Sequence, residues 1–286
     1  MAFTETVLKH APWSVSKADS ISRCQRQYQF RYINKVKEEA KHAASRIGTA
    51  THAVLEVALA TSGSDLKELA EKAAKDNELV SEEVRELETK LASIQDFVGR
   101  IRKFKAQHSV ERELFEHKLA ITSEFKPTAF FGRDAFLRGV MDHAMITSDK
   151  IMVIIDHKTG RKKPIVEHST QFFAYMLMAV SNFSDIAGVQ CAINYVGTDS
   201  VDWFPKASGD HGVWTRDDIF KLRIWLEHYL NRNHNPLVVL ESLKPQEEAT
   251  PSTNVLCGWC GYLNRCDAGR EYVEKKRASR ESKTDL

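Results

Sequence analysis

Apolar residues change their spacing several times along this 286-residue chain, and each change marks an element. Residues 13–36 read WSVSKADSISRCQRQYQFRYINKV, where Ser14 or Ser16 can cap a helix with Ile21, Tyr28 and Tyr32 on or near one face. In RIGTATHAVLEVAL, Gly48-Thr49 reads as a turn and cap leading into a helix that carries His52 and Glu56 on one side. The proline-free stretch 63–107 reads as a helical pair or trio, with Ser81 and two glutamates marking one start. Ser109 to Ser123 alternates as a strand. Leu137–Ile146 and Ile151–Ile155 are apolar runs on either side of the short polar turn TSDK, the pattern of an antiparallel hairpin whose second strand is buried on both faces. Phe172–Val180 is an apolar helical run, and GVQCAINYVGTD is a further strand with Cys191 as core. TDSVDWFPKASGDHGVW then reads as a hairpin or loop, and Thr215–Asn231 as a helix with Ile219, Leu222, Leu226 and Tyr229 at 3.6-residue spacing. Strands and helices thus interleave along the chain.

Composition narrows the class without naming a function. Apolar residues make up 42% and charged residues 28%, as in a soluble globular protein. With 41 basic and 39 acidic residues the formal net charge is +2, so any nucleic-acid surface has to be a local patch. Arg100, Arg102, Lys103 and Lys105 form the one basic cluster of the helical stretch and are candidates for phosphate contact. No apolar run reaches the roughly 18 residues that span a membrane, and the N-terminus lacks the apolar core of a signal peptide. A cytoplasmic, reducing location is expected. There is no G-x-x-x-x-G-K-[ST] loop, which excludes a helicase motor within this chain.

The hairpin carries the candidate chemistry. Its second strand runs straight into Asp156-His157-Lys158; residues two apart share a face, so Asp156 and Lys158 project together and His157 turns away. Asp142 on the first strand can reach the same place. Two carboxylates beside one ammonium repel each other without a cation, which points to Mg²⁺ or Mn²⁺. By itself a D-x-K triplet is more often a solvated surface ion pair. Gln171 and Tyr175, four apart, share a helix face, which is also what any amphipathic helix provides. Glu111 and Glu113 on the preceding strand are further candidates for supporting groups.

Cysteines are sparse until NVLCGWCGYLNRCDAGR, where Cys257-x2-Cys260-x5-Cys266 falls within ten residues. In a reducing compartment such a run reads as metal ligands. No histidine lies at finger spacing, so the fourth ligand comes from elsewhere, and Cys24 is the natural candidate. Four thiolates can hold zinc or an iron–sulfur cluster, and spacing does not separate the two.

Taken in order, Gly139-x-x-Asp142, Asp156-x-Lys158-Thr159-Gly160 and Gln171-x-x-x-Tyr175 resemble the signature of the PD-(D/E)XK nuclease superfamily, and its RecB-type branch in particular. G-T-x-x-H-x-x-L-E around His52 resembles that branch's histidine motif. The segment S-x-S…C-x-x-x-Y-x-F around Cys24, with the last three cysteines, resembles the iron–sulfur members of the AddB and CRISPR-associated (Cas-four) kind. One departure is Gln25 where that family commonly has proline.

The resemblance implies that Asp142, Asp156, His52 and the backbone carbonyl of His157 hold Mg²⁺ or Mn²⁺, the imidazole favouring Mn²⁺. It further implies that Lys158 acts on the attacking water or the transition state, that Gln171 and Tyr175 support the site or contact DNA, and that Cys24, Cys257, Cys260 and Cys266 hold a [4Fe-4S] cluster. The implied fold is α/β, a PD-(D/E)XK nuclease core with a mixed central sheet flanked by helices. It is organised as an N-terminal segment 1–46 with the first cluster cysteine, a nuclease core 47–240 with a helical insert 63–107, a cluster-binding segment 241–270 and a disordered tail 271–286. The implied activity is a metal-dependent DNA exonuclease on free ends or single strands, in recombination, repair or processing, alone or beside a helicase or recombination partner. A structure-selective endonuclease on the same site and a non-catalytic iron–sulfur DNA-binding subunit are the alternatives.

Overall fold

In the computed structural model of this chain, residues 2–39, 42–198, 200–206, 212–244 and 246–284 are described. They begin with α1 (Glu5–Lys9), α2 (Val15–Arg23) and α3 (Gln25–Tyr28), the last continuing as a π-helical turn over Gln29–Ile33. Next come α4 (Ala43–Ala60), α5 (Leu66–Asp76), α6 (Ser81–Thr89) and α7 (Leu91–His108). The strands β1 (Val110–Ile121), β2 (Leu137–Thr147) and β3 (Ile151–Lys158) lead through α8 (Ser169–Asn182) to β4 (Gly188–Tyr195), β5 (Ser200–Trp203) and β6 (Trp214–Thr215). The chain closes with α9 (Arg216–Asn231), α10 (His234–Ser242) and α11 (Asp267–Thr284). It divides into two compact units, Ala43–Leu226 and the combined terminal segments Met1–His42 and Glu227–Leu286.

In the central unit the strand order is β1-β2-β3-β4-β5, with β6 also on β4. All pairs are antiparallel except β3 with β4, which run parallel because α8 carries the chain between them. The sheet is therefore mixed, flanked by helices. Val153 and Ile155 of β3, Met145 of β2 and Ala192 of β4 pack with Val54, Leu55, Ile94 and Phe97 of α4 and α7 in one core. Alternation along β3 then gives His157 to the helical side, edge-on to Phe97 at 5.2 Å, and leaves Asp156 and Lys158 for the other. Arg216 fixes the end of α8 by donating to the carbonyls of Val180, Phe183 and Ile186.

The terminal segments are stitched to each other by polar contacts as well as by packing. Gln29 exchanges hydrogen bonds with Glu247 and Ala249, each at 2.8 Å, and Arg26 donates to the Ala249 carbonyl at 2.8 Å. Phe30 packs on Tyr262 with ring centroids 5.5 Å apart, and the Tyr262 hydroxyl donates to the Val36 carbonyl at 3.2 Å.

Three local expectations are corrected. Gly48-Thr49 is no turn: α4 starts at Ala43 and runs through both, and the Thr49 hydroxyl bonds back to the Ser45 carbonyl at 2.9 Å instead of capping. Glycine stands there because a Cβ would sit 3.2 Å from the Thr159 hydroxyl, beyond the end of β3. The first expected helix is capped by Ser14 but breaks at Cys24, whose extended backbone (φ −162°, ψ 111°) ends α2 and begins α3. The stretch after Arg270, expected to be disordered, continues α11 to Thr284 and is rich in the good helix formers Glu, Lys, Arg and Ala; residues 285 and 286 lie outside the described residues. No helix among the described residues is long and apolar enough to cross a membrane.

Candidate active site

The pairing of β2 with β3 ends at His143–Ile155, although both strands continue past that point. Between their diverging ends the His157 amide, which would otherwise seek a carbonyl on β2, donates to Asp142 Oδ2 at 2.8 Å. A carboxylate thereby substitutes for the missing ladder bond and is held at the gap. His52, on α4, brings its Nδ1 to 3.7 Å from the same Asp142 oxygen and 3.9 Å from Glu116 Oε1. His52, Glu116 and Asp142 can each offer an atom within 4.8 Å of the others, a set that fits a divalent ion. Glu116 holds its place in β1 at φ 42°, a left-handed backbone that costs a non-glycine residue free energy and is common where a side chain must be aimed. The group opens on a cleft of about 570 Å³ lined by Gly48, Thr49, His52, Glu56, Glu116 and Thr159.

Asp156 is almost wholly buried and is gripped from two sides. Lys158 Nζ lies 2.6 Å from its Oδ2, and Gln171 Nε2 donates to its Oδ1 at 2.7 Å. Gln171 also accepts from Lys158 at 3.4 Å and donates to the Tyr175 hydroxyl at 2.9 Å, which donates to the Val140 carbonyl at 2.7 Å. One glutamine of α8 thus spans lysine, aspartate and tyrosine, and the tyrosine anchors it to β2. The close approach of α8 needs Gly139: a Cβ there would lie 2.7 Å from Met178 Cε and 3.3 Å from Tyr175 Cε1.

The charges are in conflict in the absence of a cation. Burial, together with the nearby Asp156 charge, pushes the Asp142 carboxyl up to about 7. Burial acts to lower His52, but the facing Glu116 carboxylate and the charges of Asp142 and Asp156 outweigh it and raise its pKa. Burial holds the Tyr175 phenol well above its ordinary range, as a donor. His157 is pushed well below its ordinary value by burial and is neutral; Asn194 donates to its Nδ1 at 3.1 Å, which leaves the ring proton on Nε2. A bound cation would relieve the carboxylate repulsion, and the donor set of carboxylates and imidazole suits Mg²⁺ or Mn²⁺.

The structure brings His52, Asp142, Asp156, His157, Lys158, Gln171 and Tyr175 to one place, but two details differ from the sequence reading. Glu116, which that reading passed over, joins His52 and Asp142, whereas Asp156 turns its oxygens to Lys158 and Gln171. Glu111 and Glu113 lie elsewhere: Glu111 pairs with Lys150, and Glu113 binds Lys105 and the buried His143. The signal for Glu116 is parity. Glu113 faces Met145 on β2 and Glu111 sits at a register shift, whereas Glu116 falls opposite Asp142, between the pairs Phe115–His143 and His117–Met141. Of the basic cluster, Arg100, Arg102 and Lys103 line a broad depression with Asp65 and Asp96, and Lys105 is taken by Glu113.

The four cysteines lie in the terminal unit and none is disulfide-bonded. Cys24, Cys257, Cys260 and Cys266 line one cavity of about 170 Å³ with Phe30 and Tyr262 among its walls. Burial raises the Cys260 thiol, and the other three cysteines all add to that rise, so the four share an electrostatic environment.

Residues 12–267 match the PD-(D/E)XK nuclease superfamily, and the chain belongs to it. Members of that superfamily are mostly metal-dependent nucleases, and they use divalent metals. A solved structure described as "Crystal structure of SSO0001" is 12% identical, with 93% of each chain covered and a TM-score of 0.37. No curated protein matches the chain significantly.

Proposed function

We infer that this chain is a metal-dependent deoxyribonuclease of the RecB-type branch, acting as an exonuclease on free ends or single strands. The observation that carries this reading is the gap between β2 and β3, where His52, Glu116 and Asp142 converge beside Asp156, Lys158 and Gln171. Asp142, Asp156, His52 and the His157 carbonyl, joined by Glu116, would hold Mg²⁺ or Mn²⁺. Such an ion, when bound, would supply an acidified water and neutralise charge on the phosphate oxygens. Lys158, a third exposed and steadied by Asp156 and Gln171, presents an ammonium to the charge that grows on those oxygens and to the attacking water. Asp142 fixes the His157 peptide, and through it the end of β3, at the place where the phosphate sits. Tyr175 and Gln171 position; they do not react.

In the terminal unit, we propose that Cys24, Cys257, Cys260 and Cys266 hold a [4Fe-4S] cluster rather than zinc. The four line one cavity, and Cys24 far upstream of C-x2-C-x5-C resembles the ligand spacing of iron–sulfur nucleases. The cluster would tie together segments that hydrogen bonds already join.

The test is cleavage of end-labelled single-stranded DNA and of closed circles in Mn²⁺, Mg²⁺ or EDTA. Metal-dependent shortening of linear strands with circles left intact is expected. Cut circles would replace the exonuclease by an endonuclease, and no cleavage by protein with an intact cluster would leave a DNA-binding subunit.

A further inference from the structure

The β1–β2 hairpin carries more than carboxylates. Beyond Ile121 the chain folds into the loop 122–136 before β2 returns, and Phe131 stands on it with 79% of its surface exposed. Its ring meets Phe130 edge-on at 5.0 Å. The loop that displays it is well tied. The Thr128 hydroxyl donates to Asp134 at 2.6 Å, the Gly132 amide to the Ala129 carbonyl at 2.7 Å, and the Phe136 amide to the Ile121 carbonyl at 2.8 Å. A Cβ on Gly132 would lie 2.8 Å from both Thr128 Oγ1 and Asp134 Oδ1, so the turn has room for glycine there and little else. A phenyl ring held in water by an ordered turn forgoes the free energy of burial and leaves its faces open to a partner.

Two cations frame the rings. Lys118 Nζ lies 5.9 Å from the Phe130 centroid and 6.0 Å from that of Phe131; for the Arg138 guanidinium the distances are 5.3 and 6.0 Å. Among the described residues neither has a carboxylate partner. Both belong to the strands that form the metal site. Lys118 lies two residues beyond Glu116 on β1, and Arg138 four residues before Asp142 on β2, opposite Ala120. At about 3.3 Å per residue those separations are roughly 7 and 13 Å, the span of a few nucleotides.

We propose that Phe131, backed by Phe130, stacks an unpaired base of single-stranded DNA while Lys118 and Arg138 take the flanking phosphates, a few nucleotides from the metal site. Aromatic stacking with basic side chains alongside accepts any base but needs a free base face, which a duplex interior does not offer. The platform therefore selects single strands and frayed ends. It rests on the nuclease reading for its orientation toward the site, although binding can be read without cleavage.

The experiment measures binding of a labelled oligothymidylate by anisotropy in EDTA, and its cleavage in Mn²⁺. The wild type is compared with Phe131→Ala, Phe131→Trp and Lys118→Ala/Arg138→Ala. The p-nitrophenyl ester of thymidine 5′-phosphate, too short to reach the platform, serves as control substrate. Phe131→Ala should raise Kd and KM for the oligonucleotide about tenfold or more and leave turnover of the ester unchanged. Phe131→Trp should restore binding, with its emission quenched by DNA. The double cation variant should lower the salt slope of binding by about 1.4. Wild-type affinity in Phe131→Ala overturns the platform even where cleavage is robust. Phe131-dependent binding by a protein that cuts nothing sustains the platform and sinks the nuclease reading.

Discussion

The two candidate centres are built in opposite ways. The carboxylate site sits at the end of a sheet, and its side chains are tied by hydrogen bonds that need no ion: Asp142 to the His157 amide, and Gln171 to Asp156, Lys158 and Tyr175. The thiol site sits on two short 3₁₀ turns, Val255–Trp259 and Leu263–Arg265, and on the break at Cys24, with no strand beneath it. A site on rigid elements is preorganised and loses little when its ligand leaves. A site on irregular backbone depends on the ligand for its shape. Under the proposed function the first arrangement would serve chemistry and the second folding.

The largest effects should separate the two centres completely. Lys158→Ala and Asp142→Asn should each lower cleavage of single-stranded DNA on the order of 10³-fold, from the loss of charge stabilisation at the phosphate, with iron content unchanged. Lys158→Ala should retain metal and DNA binding; activity in that variant would remove the mechanism. Cys257→Ala should do the reverse, bleaching the cluster absorbance and lowering the melting temperature of the terminal unit by about 10 °C or more while Mn²⁺ affinity stays within about twofold. Calorimetry with metal titration checks both halves, and a coupled loss would show that the centres are not independent.

pH sharpens the contrast further. The folded Asp142 pKa of about 7 lies above its unfolded value, so its contribution to stability is full in acid and is lost as pH rises through 7. His52, also raised, acts in the same direction. The depressed histidines His10, His117, His157 and His168 act in the opposite sense but equally in an Asp142→Asn variant. Relative to that variant the metal-free wild type should therefore lose melting temperature from pH 6 to pH 8, and saturating Mn²⁺ should flatten or invert that trend, because the ion displaces the proton. Mn²⁺ affinity should weaken by up to about tenfold per unit below pH 7. A melting-temperature difference between the wild type and Asp142→Asn that shifts in favour of the wild type as pH rises over this window would contradict the conflict of charges at the gap.

A smaller effect is expected from packing. Gly139→Ala would push Met178 and Tyr175 away from β2, at about 1–3 kcal/mol of stability. Cleavage should fall through misplaced Gln171, with Mn²⁺ affinity nearly kept; thermal melts and single-turnover rates distinguish the two. Smaller still, Arg102→Ala with Lys103→Ala should lower the salt slope of DNA binding by about 1.4 if both meet phosphates, and by nothing if the depression they line faces only water.

What the sequence made legible follows the same division. The hairpin, the buried strand and the helix after it could be read because alternation and 3.6-residue spacing are local, and Asp142, Asp156, Lys158, Gln171 and Tyr175 sit on those elements at fixed offsets. Glu116 could not be read without the register of β1 on β2, which the irregular loop 122–136 between them conceals. Gly48 suggests a turn only until Thr159, over a hundred residues away, is seen against it. Cys24 ends a helix because its backbone is extended, and apolar spacing on either side of it reads straight through the break. Structure that depends on a distant partner left no periodic trace.

The central claim is that the gap between β2 and β3 binds a divalent ion through Asp142. It is tested most directly by electron paramagnetic resonance of Mn²⁺ titrated into the intact protein and into Asp142→Asn. One Mn²⁺ per chain, bound in the wild type and lost or weakened more than about tenfold in the variant, is the predicted result. No bound Mn²⁺, or the same affinity in both proteins, would contradict it.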